Sequence, residues 1–441
     1  MPHRSPAMIA APEAAAGRLW LTNFRLFDGT GSELDDGAAV LLEDGTVSQV
    51  TRAGDVPGAG DDRVLDLGGR VLMPGLSNAH VHAIGRMPEP AHGAEASLEG
   101  TPGHFMQAML RNTLRMGVTT LRDTGAQGQL PQEARQGMRY GAFRGPRLLT
   151  CAKIISATAP GGRFYGTMYT EADGADGVRK AVREQIRWGA DFVKVMTTGA
   201  RSNELEDPDP TQFTDEEFAA LVAEAHRMGF KVCAHSEGLP GNEAAIAHGM
   251  DTIEHGMYLN QRPDLLEKMA VNGQFLIPTL SGYYWMSGLA PDVIDPVDAQ
   301  ASPDMTPTLV KLAQYNLEQG AKSMRAARDL GVKIALGSDA KPEMTGVEIL
   351  RMIHHGLTPM EVLVAATKTA AEALGISEQV GTVEPGKLAD LVVVDGNPLD
   401  DPSVLTQRER IWLVFQLGEA VAGSALERSL DDMMVRRADA A

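Results

Sequence analysis

Residues 75–83 read Gly75-Leu-Ser-Asn-Ala-His80-Val-His82-Ala83, directly after the apolar run Arg70-Val-Leu-Met-Pro74. Side chains on a strand alternate faces, so His80 and His82 present their rings to the same side. Two imidazoles converging from one strand end supply the first two nitrogen ligands of a divalent cation. Taken alone, a His-x-His also fits two surface histidines at a strand end. The rest of the chain decides between them.

Outward from this stretch, apolar strand patterns alternate with amphipathic helical ones. The run around Val71 is the first strand candidate. The others are Val118–Asp123, Arg147–Ala152, Phe192–Met196, Lys231–His235, Thr252–His255, Phe275–Thr279 and Lys333–Asp339. Among the helices, Thr214-Asp-Glu-Glu217 opens one in the manner of a capping box, ahead of Phe218. Strands and helices in this alternation imply a parallel α/β architecture, a (β/α)8 barrel of TIM type. At the two ends the pattern changes to short strands and turns. Leu19–Phe27, Ala38–Leu42 and Thr46–Val50 lie at the start; Leu391–Val394, Ile411–Phe415 and Glu419–Val421 lie at the finish. Neither end has enough residues for a core of its own. Residues 1–73 and 378–441 are therefore expected to pair into one small β-sandwich beside a barrel of residues 74–377. The Pro- and Asp-rich segment from Ser281 to about Pro307 reads as a long loop over the barrel mouth, either a peripheral insertion or a lid.

On that barrel, His80 and His82 end strand one and Lys194 lies on strand four. His235 ends strand five, His255 strand six and Asp339 strand eight. In TIM-type barrels the chemistry sits at the C-terminal strand ends, so these ligand-capable residues share one mouth. That placement selects a metal site over scattered histidines. A lysine ammonium has no lone pair to give a cation. An inward Lys194 is then either neutral or modified, or else a cationic substrate clamp.

The motifs carrying these residues resemble those of the amidohydrolase superfamily, and within it the binuclear hydrolases of the imidazolonepropionase and prolidase-like group. They are Pro74–His82, Gly117–Asp123, Gly189–Lys194, Ala225–His235, Asp251–Gly256, Gly337–Ala340 and Gly386–Val394, spread over nearly the whole chain. The resemblance implies two divalent cations. One is held by His80, His82 and Asp339, the other by His235 and His255, with an N-carboxylated Lys194 and a hydroxide between them. Zinc is the expected metal, since imidazole and carboxylate ligands suit it; manganese and cobalt are alternatives. The implied activity is cleavage of an amide-type C–N bond, with Asp339 as catalytic base. The bond could belong to an N-acyl amino acid, dipeptide, anilide, carbamate or urea. A lactonase or phosphotriesterase on the same centre is the alternative. A mononuclear deaminase fits less well, because such relatives usually lack the strand-four lysine and place a glutamate three residues after the strand-five histidine; here Glu237 is two after. A non-catalytic relative would be expected to have lost ligands, and none is missing.

Substrate-reading positions depart from the prolidase-like pattern. Pro160-Gly-Gly-Arg163-Phe-Tyr165 stands where a Gly-Gly-His is usual, and Ser236-Glu237 follows the strand-five histidine in place of a tyrosine. This places dipeptidase activity in question. Arg163 is a candidate to grip a carboxylate or phosphate, or is a plain surface arginine. Tyr165, Tyr283 and Tyr284 are further candidates for substrate binding, with Arg201 and Trp285 behind them. Glu254 and Asp123 are expected to support histidines or arginines, and Cys233 to line the barrel on the face of His235. His3, His92, His104, His226, His248, His354 and His355 are read as structural or solvated.

Composition bounds the remaining classes. The 441 residues carry a formal charge of -18 and a pI near 5.1, which argues against a nucleic-acid surface and against binding anionic membranes. No apolar run reaches membrane-spanning length. Two cysteines in no metal-type spacing read as reduced, buried thiols of a cytoplasmic protein. The expected partner is a small-molecule substrate, and the expected assembly a homo-oligomer.

Overall fold

The computed structural model describes residues 17–56, 62–84, 100–202, 204–289 and 305–427. The strands that precede residue 75 and those that follow residue 390 meet in one seven-stranded sheet, in the order β17-β16-β15-β4-β1-β2-β3. Its strands are β1 (Arg18–Leu26), β2 (Ala38–Glu43), β3 (Thr46–Arg52), β4 (Arg63–Pro74), β15 (Leu391–Val394), β16 (Ile411–Gln416) and β17 (Glu419–Ala422). β4 is the junction. It runs parallel to β1 along one edge, and its last residues, Val71–Pro74, pair antiparallel with β15 on the other. The expected sandwich therefore takes the form of a single hydrogen-bonded sheet. Leu42 and Val47 from one side share a buried apolar cluster with Leu391, Val393 and Phe415 from the other. Neither end could bury these side chains without its partner, which is why both are needed.

Ten strands form the parallel sheets of a TIM-barrel-type core. β5 (Leu76–Val81), β6 (Val118–Asp123) and β7 (Arg147–Thr150) make one sheet. The other runs β14-β13-β12-β11-β10-β8-β9 and contains β8 (Ile154–Ser156), β9 (Tyr169–Glu171), β10 (Val193–Met196), β11 (Val232–Ser236), β12 (Thr252–His255), β13 (Phe275–Ile277) and β14 (Lys333–Ile334). Backbone bonds cross between the two sheets. The Ala79 N–H donates to the Leu336 carbonyl at 2.8 Å, and the Asp191 N–H to the Thr150 carbonyl at 2.8 Å. Both faces of β6, β10, β11 and β12 are buried, as parallel strands flanked by helices require.

Three expectations change. The run ending at Pro74 belongs to the outer sheet, and the histidines lie on or just beyond a separate strand, β5, after the break at Gly75. The short β8 and β9 were not anticipated, being too brief to show a period. Within the segment read as a loop from Ser281, Leu280–Ser287 is a helix, and another begins at Pro307. Residues 290–304 lie outside the described residues. The capping box is present as read: Thr214 and Glu217 exchange side-chain and backbone hydrogen bonds at the start of the helix Asp215–Arg227. No helix among the described residues is long and apolar enough to cross a membrane. Cys151 and Cys233 are free and buried.

Candidate metal centre

The ladder registers set the site. Lys194 on β10 lies beside Cys233 on β11, Met196 beside His235, and His235 in turn beside Glu254 on β12. Alternation puts Lys194 and the neighbouring inward side chains at one level of the core. At the strand ends alternation is overridden. Glu254 and His255 are adjacent, and a regular strand would send them to opposite faces. Yet both reach His80: Glu254 Oε2 lies 2.5 Å from His80 Nδ1, and the rings of His80 and His255 are 5.2 Å apart. His255 has φ +68°, a left-handed backbone that turns its side chain back inward. Asp339 (φ +49°) and Thr279 (φ +50°) do the same at two further strand ends. Non-glycine residues held there cost on the order of 1–3 kcal/mol each and collect at functional sites.

Asp339 is fixed to the strand of His80. The Ser338 and Asp339 N–H groups both donate to the His80 carbonyl, at 3.0 and 2.9 Å. Asn78 binds Ser338 and Thr345 through its amide. Gly337 is glycine because a Cβ there would lie 2.7 Å from His80 Cβ. Gly282, in the helix Leu280–Ser287, plays the same part from the opposite side. A Cβ at Gly282 would meet Asp339 Oδ2 at 3.0 Å.

Within this frame His80 Nε2 and His82 Nε2 approach Asp339 Oδ1, at 3.6 and 3.3 Å. His255 Nε2 faces His235 Nδ1 at 2.9 Å. The donors of His80, His255 and Asp339 lie within 4.8 Å of one another, as do those of His235, Glu237 and His255. The ring nitrogens on the far side are mostly bonded. His80 Nδ1 donates to Glu254, His82 Nδ1 to the Gly125 carbonyl at 2.6 Å, and His255 Nδ1 to Thr279 Oγ1 at 2.7 Å. Such partners fix the tautomer and leave the inward nitrogen with its lone pair. Glu254 is itself held by Arg122 at 2.8 Å and by the Cys233 thiol at 3.1 Å.

Electrostatics favour ligands over a charged cluster. Burial pushes His80 down to about 3, with the Lys194 ammonium adding to the effect. His235 and His255 are held well below the ordinary range, again by burial first. Neutral imidazoles are what a cation needs. Burial raises Asp339 to about 7, opposed by Lys194. Lys194 is 1% exposed and its Nζ has no hydrogen-bond partner. A bare buried ammonium without an acceptor is costly. The donor set thus suits a pair of divalent cations, and the orphaned amine suits a lysine that carries something more.

The expected substrate-reading residues separate. Tyr283 donates its hydroxyl to Glu237, next to His235. Tyr165 bonds Ser202 and stacks on Tyr169, with ring centroids 4.9 Å apart. Arg163 is exposed on the short helix Pro160–Tyr165. Tyr284 turns from the cluster to His355, at 2.9 Å, beneath the Arg351 guanidinium. Arg201 packs over Tyr258 and binds Asp209 at 2.8 Å; Trp285 is 41% exposed. Asp123 supports His82 as expected, through its charge and through the backbone: its carboxylate accepts the Ala83 and Gly125 amides, bracing the chain after His82. His226 and His248 pair with Asp251 and Asp215 on the periphery, whereas His3 and His92 lie outside the described residues. Sequence reading passed over Arg122 and Asn78, and neither carries a local signal. Their parts are visible only once β5, β6 and β12 stand side by side.

Histidines, a lysine and an aspartate at the ends of parallel strands define a metal-site protein of the amidohydrolase kind. Residues 71–421 match the amidohydrolase family, and the chain belongs to it. Among curated relatives, ochratoxinase of Aspergillus niger is 28% identical over 457 aligned positions, covering 96% of this chain and 90% of the relative. Imidazolonepropionase of Solibacter usitatus is 24% identical, covering 88% of this chain and 91% of its own length. Among solved structures, a Xaa-Pro dipeptidase with bound methionine in its active site superposes with a TM-score of 0.81 at 26% identity, covering 92% of this chain and 100% of that one. The crystal structure of A. niger ochratoxinase gives 0.79 at 26% identity, covering 93% and 96%.

Proposed function

We propose that this protein is a metal-dependent amidohydrolase that cleaves an amide-type C–N bond in a small molecule, on a centre of two divalent cations. The observation that carries the reading is the convergence of His80 and His82 on Asp339, beside His235 facing His255, with a buried and unpartnered Lys194 between strands. His80, His82 and Asp339 hold one cation, and His235 and His255 the other. Lys194, its neutral amine carboxylated by carbon dioxide with release of a proton, would supply carbamate oxygens to both. Residues 74–377 are the catalytic unit, and the two chain ends form its accessory sheet.

Bound there, such cations would acidify a water towards neutrality and polarise the scissile carbonyl. The chain does the rest. Glu254 and the Gly125 carbonyl orient His80 and His82 through their outer nitrogens, so both rings meet the Asp339 side. Asp339 takes the proton of the attacking water and delivers it to the leaving nitrogen, which must depart as a neutral amine. The left-handed backbone at Asp339 and the contact with Gly282 hold the carboxylate where that transfer occurs. The relatives named as ochratoxinase and Xaa-Pro dipeptidase support the C–N reading.

Metal analysis of the purified protein is expected to give two equivalents per chain; one equivalent would favour a mononuclear enzyme. A panel of acyl amino acids, anilides, carbamates, ureas, lactones and phosphotriesters then separates bond classes. Turnover confined to lactones or phosphotriesters would overturn the C–N assignment. With a turned-over substrate in hand, Gly282→Ala is expected to lower kcat by about one to two orders of magnitude, because small displacements of a reacting group are expensive. Its melting temperature should move little. An unchanged kcat would mean that the close approach of Gly282 does not position Asp339 for proton transfer.

A further inference from the structure

One buried carboxylate beside the site has no task in the chemistry above. Glu237 follows His235 by two residues and is 3% exposed. Tyr283 donates its hydroxyl to one carboxylate oxygen, and the Arg201 amide N–H donates to the other at 2.6 Å. The Arg201 guanidinium reaches back to the Glu237 carbonyl at 3.3 Å, so a cation accompanies the carboxylate. The group is held from two sides and is not free to swing.

The four histidines explain why it is there. Three have a partner on the outer ring nitrogen: Glu254, the Gly125 carbonyl and Thr279. The fourth does not. His235 presents Nδ1 to His255, so Nε2 is its outer nitrogen; that atom is buried and makes no hydrogen bond. The nearest carboxylate oxygen is Glu237 Oε2, 3.8 Å away. The Gly199 carbonyl acts on the same ring and is the competing acceptor.

We propose that Glu237 is a positioning residue for the cation held by His235 and His255: it receives the Nε2 proton of His235 when Nδ1 engages the cation. The assignment rests on the reading of His235 and His255 as cation ligands. A ligated imidazole is a stronger N–H donor than a free one, and a carboxylate acceptor raises its basicity towards the metal. A ring movement of about 1 Å brings the pair within hydrogen-bond range. Because Tyr283 and the Arg201 amide fix Glu237, the ring makes that movement, and the site tightens around the cation. His80 and His82 have their own outer partners, so Glu237 acts on one half of the centre only. The same logic assigns Tyr283 to holding Glu237.

The test is a calorimetric titration of metal-stripped protein with Zn2+ in bicarbonate-containing buffer, which needs no substrate. The wild type is expected to take two equivalents. In Glu237→Gln one equivalent keeps its affinity and the other weakens about 10- to 100-fold. Tyr283→Phe, which releases one oxygen of the carboxylate, weakens that same equivalent less. Two equivalents at wild-type affinity in Glu237→Gln would overturn the assignment and leave the Gly199 carbonyl as the partner. Equal weakening of both equivalents would also overturn it, reducing Glu237 to general packing. A wild type that takes fewer than two would overturn the two-cation reading itself, and this assignment with it.

Discussion

An Asp339→Asn protein is expected to keep its fold and much of its metal while losing turnover by about two to four orders of magnitude, the range that positioned acid–base groups contribute. Asparagine retains a carbonyl oxygen for the position now taken by Oδ1, 3.3 Å from His82 Nε2 and 3.6 Å from His80 Nε2. The backbone at this position is left-handed, a conformation asparagine adopts readily, so the substitution adds no strain. What disappears is a group that can accept a proton at one moment and return it at the next. The measurement is kcat on a panel substrate beside metal content. Near-normal kcat with full metal would remove Asp339 as the base. Loss of metal in step with loss of kcat would instead make it chiefly a ligand.

The second large effect is expected at Lys194. Lys194→Ala should lose both activity and bound metal, with added short carboxylic acids, such as acetate or propionate, restoring part of each. The side chain is enclosed and its Nζ unpartnered, so truncation leaves a cavity that a small carboxylate can enter. Such an acid supplies the bridging oxygens that the carbamate would have provided. An ordinary cationic clamp behaves differently: its loss would be rescued by added amines and not by acids. Rescue by methylamine alone would therefore exclude the carbamate.

The convergence of these side chains was legible because their placement along the chain reports on it locally. His80, His82, His235 and His255 each close an apolar run, Lys194 interrupts one, and Asp339 follows one. Strand ends converge in parallel α/β folds, so position along the chain translated into position in space. Thr214 and Glu217 were legible for the same reason, since a capping box is written within four residues. The break between β4 and β5 was not. Between Val71 and Val81 only Gly75 separates a strand of the outer sheet from a strand of the core. The helix Leu280–Ser287 was missed because it has no polar face to read: nearly all of its residues are buried. Its start is secured by Glu348, whose carboxylate accepts the Leu280 and Ser281 amides from far along the chain. Asn78 and Arg122 act through tertiary contacts, which local spacing does not reveal.

The outer sheet has a consequence for how the molecule is made. β4 lies between β1, which leaves the ribosome before it, and β15, which emerges after the entire set of site-bearing strands. During synthesis the Val71–Pro74 edge is open, with apolar side chains and unused amides. Until Leu391–Val394 arrives, the nascent polypeptide offers a template to any extended neighbour, a condition that invites aggregation and chaperone engagement. Loss of the last strands through a premature stop would leave that template permanently exposed, even with every residue of the candidate site already translated.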